Sequence, residues 1–428
     1  MLFALGVLVF ALGLLVSIAL HEVGHLVPAK RFGVKVTQYM VGFGPTVLSR
    51  RRGETEYGLK AIPMGGYIRM IGMVPPAKAG SRWPRRMATL VEDFRRTARD
   101  EVRPDDRNRQ FYLLSAPKRV VIMMGGPLVN LALYVILMTT VLCAIGTQQL
   151  SNTLGSVSQC IVPATAAIPA DGSCPAGAPD SPANEAGLQA GDTILSIDGV
   201  PTGEWADTVA VIERSAGVPL TMEVRRDGER RTLTVTPVEN TKYVDGSATE
   251  TKTVGMIGAS STYEFRRMSL LDVPAELGSQ FAEGAKRLAG LPMRVWELLG
   301  TVFHGDPRDP EGAVGVVGLG RIGGEIASTS QIETLEKVQF LLALLASLNL
   351  LLFLFNMLPL LPLDGGHVAG AVYEGARRTL ARLRRRPDPG HVDTAQMLPV
   401  MYAVASVMIV VSLLILYADI VSPIKLFG

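Results

Sequence analysis

An unbroken apolar run at the amino terminus, Met1 to Leu20, constrains this chain most, because it is long enough to cross a bilayer as a helix. The run continues directly into the pentamer HEVGH, His21 to His25. On a helix the two histidines are four residues apart and lie on one face, so both imidazoles can bind one Zn²⁺ ion. Glu22 lies beside them, where it can take a proton from a water that the metal activates. The sequence therefore predicts zinc-hydrolase chemistry that begins inside a membrane.

Two other interpretations of this segment were weighed. An HExxH pentamer also occurs by chance in helices that bind no metal. The apolar run could be a signal peptide, but it has no basic segment before it and no small-residue cleavage site before Lys30 and Arg31. Histidine and glutamate are costly at membrane depth unless they are used or paired. The location of the pentamer therefore favours a metal site.

Four segments are apolar enough to be spanning helices. The 428 residues are 48% hydrophobic, which is too apolar for an ordinary soluble enzyme. The spans are predicted at 1–26, 120–146, 338–366 and 398–420. The predicted fold class is a polytopic α-helical membrane protein with four transmembrane helices and an inserted, extracytoplasmic β-rich domain.

The distribution of charge predicts the orientation of these spans. Residues 26–119 contain 20 Lys and Arg against 8 Asp and Glu, and residues 367–397 contain 6 Arg against 3 acids. Residues 147–337 contain 15 basic against 25 acidic residues. By the positive-inside rule the loops 27–119 and 367–397 are cytoplasmic, and the acidic segment and both termini are outside. The basic loops indicate contact with the lipid bilayer rather than with nucleic acid.

The first cytoplasmic loop contains an apolar-rich stretch, Tyr57 to Met73, with Pro63 and the pair Gly65-Gly66 inside it. It is predicted to form a membrane-proximal β-hairpin or two short strands. Such a segment could offer an edge to an extended substrate by strand addition, or it could be a loop packed against the helices.

The second span contains Gly125, Gly126, Pro127 and Asn130. Small residues permit close approach of another helix, and proline loosens the backbone hydrogen bonding locally. The amide of Asn130 needs a partner at this depth, so it is expected to face other helices or a wet cavity. Packing is at least as good an explanation of this residue as catalysis.

Between spans two and three, residues 147–240 are predicted to form a compact β-rich module. A turn-rich start leads into a strand at Thr193 to Ile197 and the hairpin signal Asp198-Gly199, and two further strands follow. The stretch from Ser181 to Thr202 resembles a PDZ domain of bacterial proteases. That resemblance implies a groove-lining helix at Asp207 to Ser215 and binding of extended peptide by β-augmentation.

An insertion between Val157 and Ser181 departs from this pattern and is bounded by Cys160 and Cys174. Because the segment is predicted to be extracytoplasmic, these cysteines could form a disulfide, with free thiols as the alternative. Residues 241–337 are predicted to be a polar linker followed by an amphipathic segment, Val273 to Val302. The Gly-rich stretch Gly315 to Ala327 has dinucleotide-fingerprint spacing but no surrounding βαβ unit, so a re-entrant or hinge segment is predicted instead.

The third span ends in NMLPLLPLDGGH, Asn356 to His367, with Asp364 after the prolines that end the helix. Taken alone, Asp364 could be an ordinary helix-capping residue. The first and third spans both run inward, however, so HEVGH and Asp364 lie at the same cytoplasmic end of the membrane. His21, His25 and Asp364 can therefore supply three ligands to one tetrahedral zinc.

The remaining polar residues near this end are harder to assign. Asn356 could hold a substrate carbonyl or an oxyanion. His367 could act beside the metal ligands, although an interfacial histidine is preferred. His304 and His391 have no ligand spacing and are interpreted as surface residues.

With HEVGH on the first span, NMLPLLPLDGG on the third and a PDZ-like module between spans two and three, the chain resembles the site-2 proteases, and more narrowly the bacterial regulator-of-sigma-E protease type. The resemblance implies an intramembrane zinc metalloprotease in a bacterial inner membrane, with Glu22 as general base and His21, His25 and Asp364 as ligands. It implies that single-span membrane proteins of the anti-sigma factor type are cut in regulated intramembrane proteolysis, after an upstream site-1 protease has acted on them. Contacts to unwound substrate would come from Asn356, Gly65, Gly66, Tyr67, Ile68, Arg69 and Met70.

Two other function classes were weighed against a protease. A non-catalytic PDZ-bearing scaffold would not need the base Glu22. A metal transporter is disfavoured because only one carboxylate-bearing site is found and no inverted repeat is visible.

Overall fold

The computed structural model describes residues 1–76, 85–162, 174–175, 177–243, 251–304 and 312–423. The chain forms two compact units, one made of Met1–Ile145 with Ser269–Gly428 and the other of Gly146–Met268. The first unit is mainly helical, and the second is mainly β-structure.

The first unit begins with a long helix and a two-stranded sheet and ends with a series of helices. Its elements are α1 (Leu2–Arg31), β1 (Val36–Arg52), β2 (Thr55–Met70), α2 (Arg85–Asp100) and α3 (Ala116–Thr139), followed after the second unit by α6 (Val273–Ala289), α7 (Leu291–His304), α8 (Val316–Ser328), α9 (Thr334–Asn356), α10 (Asp364–Leu383) and α11 (Leu398–Val421). A π-helical turn, Thr140–Ile145, prolongs α3, and a 3₁₀ turn, Thr394–Met397, precedes α11.

Four helical stretches are long and apolar enough to cross a membrane: Leu2–Arg31, Ala116–Ile145, Thr334–Asn356 and Thr394–Val421. They agree in number and order with the four predicted spans. The helix of the third span, α9, ends at Asn356, ten residues before the predicted end of that span at 366. Pro359 and Pro362 lie in the segment that follows, and proline cannot donate the hydrogen bond that would continue a helix.

The helices of this unit approach each other closely at glycines. A Cβ atom on Gly24 of α1 would lie 2.3 Å from the carbonyl oxygen of Gly125 on α3, and one on Gly125 would lie 2.0 Å from that of Gly24. The predicted close approach at Gly125 is therefore present, and α1 is its partner. In the same way a Cβ on Gly6 of α1 would lie 2.4 Å from the carbonyl oxygen of Gly323 on α8. The stretch predicted as a re-entrant or hinge segment thus forms a regular helix packed on α1.

Strands β1 and β2 form a sheet in which one segment of β1 is paired on both sides. Met40 pairs with Tyr67 on one side and with Gly58 on the other. Gly58 in turn lies between Met40 and Ser49 and pairs with both. The turn between β1 and β2 lies at Gly53, where Arg52 pairs with Thr55, and β2 itself reverses direction between residues 59 and 66. Residues 66–70 therefore form an outer segment that pairs only with residues 36–41 in the described part of the chain.

The second unit contains an antiparallel sheet, a separate β-hairpin and two short helices. Its elements are β3 (Thr147–Val157), α4 (Pro182–Glu185), β4 (Thr193–Ile197), β5 (Val200–Pro201), α5 (Trp205–Arg214), β6 (Leu220–Arg226), β7 (Glu229–Val235), β8 (Val238–Tyr243), β9 (Thr251–Met256) and β10 (Ala259–Arg266). The strand order is β10-β3-β4-β6-β7, with β5 paired on β4 and a separate β8-β9 hairpin. Apolar side chains that alternate along the strands fill the core, including those of Leu154, Ile194, Met222 and Val224.

Several predictions of local structure in this unit can be compared with the strands. The strand predicted at Thr193 to Ile197 is confirmed by β4. Strands β9 and β10 lie in residues that were predicted as a polar linker, and β10 pairs with most of β3. Their Ser and Thr content conceals the strand pattern, because few of their side chains enter the core. Cys160 and Cys174 are joined by a disulfide with Cα atoms 6.0 Å apart, and residues 163–173 and 176 of the predicted insertion lie outside the described residues.

Candidate metal centre

Three side chains from two distant parts of the sequence converge in the helical unit. His21 and His25 lie on α1, one turn apart, and Asp364 is the first residue of α10. The Nε2 atoms of the two histidines are 3.2 Å apart. Oδ2 of Asp364 lies 3.4 Å from Nε2 of His21 and 3.3 Å from Nε2 of His25. The structure thus brings together the three residues that the sequence analysis assigned to one metal.

The donor atoms fit a tetrahedral zinc. Histidine nitrogen and carboxylate oxygen bind Zn²⁺ at about 2.0–2.2 Å, so two ligand atoms at adjacent corners of a tetrahedron are separated by about 3.3 Å. All three separations among these atoms, 3.2, 3.3 and 3.4 Å, match that edge length. Two imidazoles and one carboxylate are also a donor set that catalytic zinc sites use.

The turn that carries Asp364 is held by its two following glycines. A Cβ on Gly365 would lie 2.3 Å from the carbonyl oxygen of Leu358, and one on Gly366 would lie 2.7 Å from the carbonyl carbon of Leu360. The chain after α9 therefore folds back against the start of α10, which leaves no room for side chains at these two positions. This contact fixes where Asp364 enters the cluster.

Helix α3 forms the wall behind the two histidines. A Cβ on Gly126 would lie 2.2 Å from Nε2 of His25 and 2.7 Å from Nε2 of His21, so only glycine fits there. Nδ1 of His25 lies 2.8 Å from the carbonyl oxygen of Ile122. Since a carbonyl can only accept, Nδ1 of His25 carries the proton, and Nε2 has a free lone pair that points at the cluster.

Asn130, also on α3, contacts the other histidine. Its side-chain nitrogen lies 3.1 Å from Nδ1 of His21, and Asn130 is 1% exposed. The sequence predicts a partner for this amide at membrane depth, and the structure identifies His21 as that partner. The available signal was its position four residues after Gly126, which repeats the spacing between His21 and His25 on the facing helix.

Glu22 lies between α1 and the outer segment of the β1–β2 sheet, and it is 7% exposed. A Cβ on Gly66 would lie 2.9 Å from Cγ of Glu22, so β2 passes directly over this carboxylate. Tyr39 on β1 ties the sheet to α1 by donating its hydroxyl hydrogen to the carbonyl oxygen of Ala19, at 2.8 Å. Burial, together with the negative charge of Glu22, raises the pKa of Tyr39 to about 12, so the phenol keeps this proton.

The other predicted substrate-contact residues are distributed around this sheet. Tyr67 and Ile68 pair with Met40 and Tyr39, and Gly65 has a φ of 99°. The side chain of Met70 is buried in the core between α1 and α3. Arg69 forms an ion pair with Glu101. Asn356 is half-buried at the end of α9.

Two of the remaining histidines lie near α10. His367 is half-buried one turn after Asp364. The interpretation of His391 as a surface residue is wrong, because it is half-buried and its Nδ1 lies 3.1 Å from Glu374. The backbone and carboxylate contacts that hold this loop were not visible in the sequence spacing. The side chain of His304 lies outside the described residues.

Comparison with known proteins relates most of the chain to one family. Residues 9–387 match the model of the family described as Peptidase family M50. The chain is similar to the proteins named "Zinc metalloprotease Rip1" of Mycobacterium tuberculosis (strain ATCC 25618 / H37Rv), with 34% identity, and of Mycolicibacterium smegmatis, with 32% identity, and all of each chain is covered in both cases. It is also 28% identical to the "Metalloprotease MmpA" of Caulobacter vibrioides, over 69% of this chain and 64% of that protein.

These relationships confirm the predictions of a metalloprotease and of zinc as its metal, and they agree with the four apolar helices of a membrane protein. The family match includes both histidines of α1 and the start of α10 with Asp364. The chain belongs to peptidase family M50, the site-2 proteases.

Proposed function

We propose that this protein hydrolyses peptide bonds within the membrane at the cluster of His21, His25 and Asp364, with Glu22 as the general base. The observation that carries the proposal is the set of ligand-atom separations, 3.2, 3.3 and 3.4 Å, within reach of a buried glutamate. A scaffold or transporter has no use for a carboxylate placed beside three zinc ligands.

The roles follow from the chemistry of each group. Zinc, when bound by His21, His25 and Asp364, acts as a Lewis acid toward a water and toward the carbonyl of the scissile peptide bond. Glu22 takes the proton from the attacking water and then delivers it to the leaving amine. Since Glu22 is next to the ligand His21 in sequence, the same helix fixes both the metal and the base.

The substrate is a transmembrane segment of a single-span protein, bound in extended form. A helical peptide bond is shielded by its own turn, so the substrate has to unwind before its carbonyl can reach the metal. Residues 66–70 are the outer segment of the β1–β2 sheet, and Gly66 lies over Glu22. Strand addition to this segment gives the unwound substrate backbone partners for its hydrogen bonds and holds it beside the base. Asn356 is proposed to contact the same substrate.

Regulated proteolysis is the proposed setting. Anti-sigma factors of the single-span type are the proposed substrates, cut after an upstream site-1 protease has removed their outer domain. The second unit, Gly146–Met268, is proposed to act as a PDZ-like module outside the membrane that excludes bulky substrates or binds a peptide end. It carries helix α5 (Trp205–Arg214) close to the position at which the PDZ resemblance implies a groove-lining helix.

The test is zinc content and cleavage of a single-span substrate, measured on the same purified samples. His21→Ala and Asp364→Ala should lose both zinc and cleavage. Glu22→Gln should keep about one zinc per chain and lose at least 10²-fold in rate, because only the base is removed. Asp388→Ala, which removes an exposed carboxylate from the loop after α10, serves as the control and should match the wild type.

Two results would overturn the proposal. If Glu22→Gln still cleaved the substrate, Glu22 would not be the general base. A wild-type protein that binds peptide but contains no zinc would favour the alternative function, a non-catalytic PDZ-bearing membrane scaffold.

A further inference from the structure

Three contacts along one side of α3 face the two histidines of α1. They come from Ile122, Gly126 and Asn130, which follow each other at a spacing of four residues. Gly126 gives the histidine rings room, and the carbonyl oxygen of Ile122 lies 2.8 Å from Nδ1 of His25. Asn130 lies 3.1 Å from Nδ1 of His21. Each histidine therefore has its own partner on α3, on the ring nitrogen that faces away from Asp364.

The two partners differ in what they impose. The carbonyl of Ile122 can only accept a hydrogen bond, so it allows a single tautomer of His25. The amide of Asn130 has both a donor and an acceptor, and its side-chain nitrogen is the nearer atom to His21. Its Oδ1 is buried and has no hydrogen-bond partner among the described residues.

Metal binding decides between these two ends of the amide. A neutral histidine that binds a metal through Nε2 carries its proton on Nδ1 and donates it to a neighbouring acceptor. The amide nitrogen is not an acceptor, so it cannot receive that proton. Rotation of the amide by half a turn exchanges its nitrogen and oxygen within almost the same volume. The oxygen of Asn130 then accepts from Nδ1 of His21.

We propose that Asn130 is a positioning residue for His21: its amide oxygen accepts the Nδ1 proton when zinc binds, and this fixes the tautomer and the ring orientation of that ligand. The inference rests on the proposed metal centre and extends it. Ile122 and Asn130 then act as matching acceptors, one from the backbone and one from a side chain. Since the backbone acceptor cannot be mutated, Asn130 is the position at which this control of the ligands can be tested.

The variants separate hydrogen bonding from packing. Asn130→Leu keeps the branching of the side chain and removes the acceptor, whereas Asn130→Asp keeps an acceptor and cannot donate. Asn349→Leu is the matched control, because Asn349 is also fully buried between helices and bonds to Ser17 of α1, with its own Oδ1 unpartnered among the described residues. Asn349 has no contact with a histidine among the hydrogen bonds of the described residues.

The measurement is the zinc dissociation constant of the full-length protein in detergent, obtained by competition with a chelator. Loss of a group that orients a metal-binding histidine weakens metal affinity about 10- to 100-fold, and that is the expected effect of Asn130→Leu. Asn130→Asp and Asn349→Leu should stay within about threefold of the wild type. The Co²⁺-substituted Asn130→Leu protein should also show altered ligand-field bands, since its His21 ring is free to tilt.

Each other outcome overturns the inference. Unchanged zinc affinity in Asn130→Leu would remove the positioning role, and equal weakening in Asn130→Leu and Asn349→Leu would reduce it to helix packing. Loss of zinc in Asn130→Asp would mean that the amide nitrogen, and not the oxygen, is the partner that His21 requires. If Asn130→Leu does not fold, the zinc affinity of Asn130→Asp alone tests the inference. Failure of the metal centre itself is distinguishable, because His21→Ala would then keep its zinc.

Discussion

Gly126 shows how little space the metal centre leaves at the scale of single residues. The nearest atoms to a Cβ at this position are the nitrogen atoms that face Asp364, at 2.2 and 2.7 Å. Real Cβ atoms do not approach other atoms this closely, so a methyl group there has to displace an imidazole or move α3 away from α1. Neither change leaves the three donor atoms at tetrahedral separations.

We therefore expect Gly126→Ala to reduce zinc content to well below one per chain and to abolish cleavage. Zinc content by elemental analysis and cleavage of a single-span substrate check this result. Gly278→Ala is the control, because Gly278 is exposed on α6 and nothing lies within 4 Å of its Cβ position. That control should be neutral or slightly stabilising, since alanine favours a helix more than glycine. A Gly126→Ala protein with full zinc content would contradict the close contact.

At the scale of helices, the helix that begins with the ligand Asp364 is joined by a buried ion pair to the helix behind the two histidines. Arg119 at the start of α3 donates to Glu374 on α10, with an Nη2 to Oε1 distance of 2.6 Å, and Glu374 is 1% exposed. The backbone N–H of Val392 also donates to Glu374, at 2.9 Å. The pair therefore links the helix behind the histidines to the helix that begins with Asp364.

Removal of one partner from a buried ion pair leaves the other charge unpaired and costs about 3–5 kcal/mol. We expect Glu374→Gln to lower the free energy of unfolding in detergent by an amount of this order. We also expect it to weaken zinc binding, because α10 carries Asp364 and would move. Glu283→Gln, which breaks an exposed pair with Arg287 on α6, should cost no more than about 1 kcal/mol.

The pH dependence provides a second measurement on the same variant. Burial raises the pKa of Glu374, but the hydrogen bonds from Arg119 and Val392 lower it by more than burial raises it. The net pKa of Glu374 is therefore below its ordinary value. A lowered pKa in the folded state stabilises the protein above the ordinary glutamate pKa of about 4.3, and this stability is lost as pH falls through the folded pKa. The wild type should therefore lose its advantage over Glu374→Gln below about pH 4. A constant difference at all pH values would contradict the pairing.

The HEVGH pentamer and the Asp364 turn could be predicted as one site because each depends on local sequence. Four-residue spacing places His21 and His25 on one helix face, and two glycines after Asp364 allow a tight turn. The direction of each span then puts both at one end of the membrane. The partners of these residues are different in kind: Asn130 reaches His21 only because α1 and α3 cross at Gly24 and Gly125.

Long-range contacts explain most of what the sequence did not reveal. Arg119 and Glu374 are 255 residues apart, and nothing in either segment indicates the other. Strand β10 is recognisable only through its pairing with β3, because its own side chains are mostly polar and partly exposed. The β1–β2 sheet was partly predicted: a hairpin or two short strands were expected within Tyr57 to Met73, which covers most of β2, whereas β1 was not expected.

At the scale of the whole molecule, the proposal depends on orientation in the membrane. The loops 27–119 and 367–397 carry the excess of basic residues, and the segment 147–337 carries the excess of acids. In the proposed orientation, which follows the positive-inside rule, both loops face the cytoplasm and both termini are outside. The Cys160–Cys174 disulfide adds an independent argument, since disulfides persist in oxidising compartments.

Labelling of single cysteines tests this orientation. In a Cys143→Ser background the remaining natural cysteines are bonded, so an introduced cysteine is the free thiol available in the described part of the chain. We expect a membrane-impermeant maleimide to label Glu229→Cys in intact cells and to label Arg99→Cys only after permeabilisation, both positions being exposed in the structure. Addition of a reductant should expose two further thiols in intact cells. Labelling of Arg99→Cys without permeabilisation would mean that the topology is the reverse of the proposed one. His21, His25 and Asp364 would then lie at the outer end of the membrane.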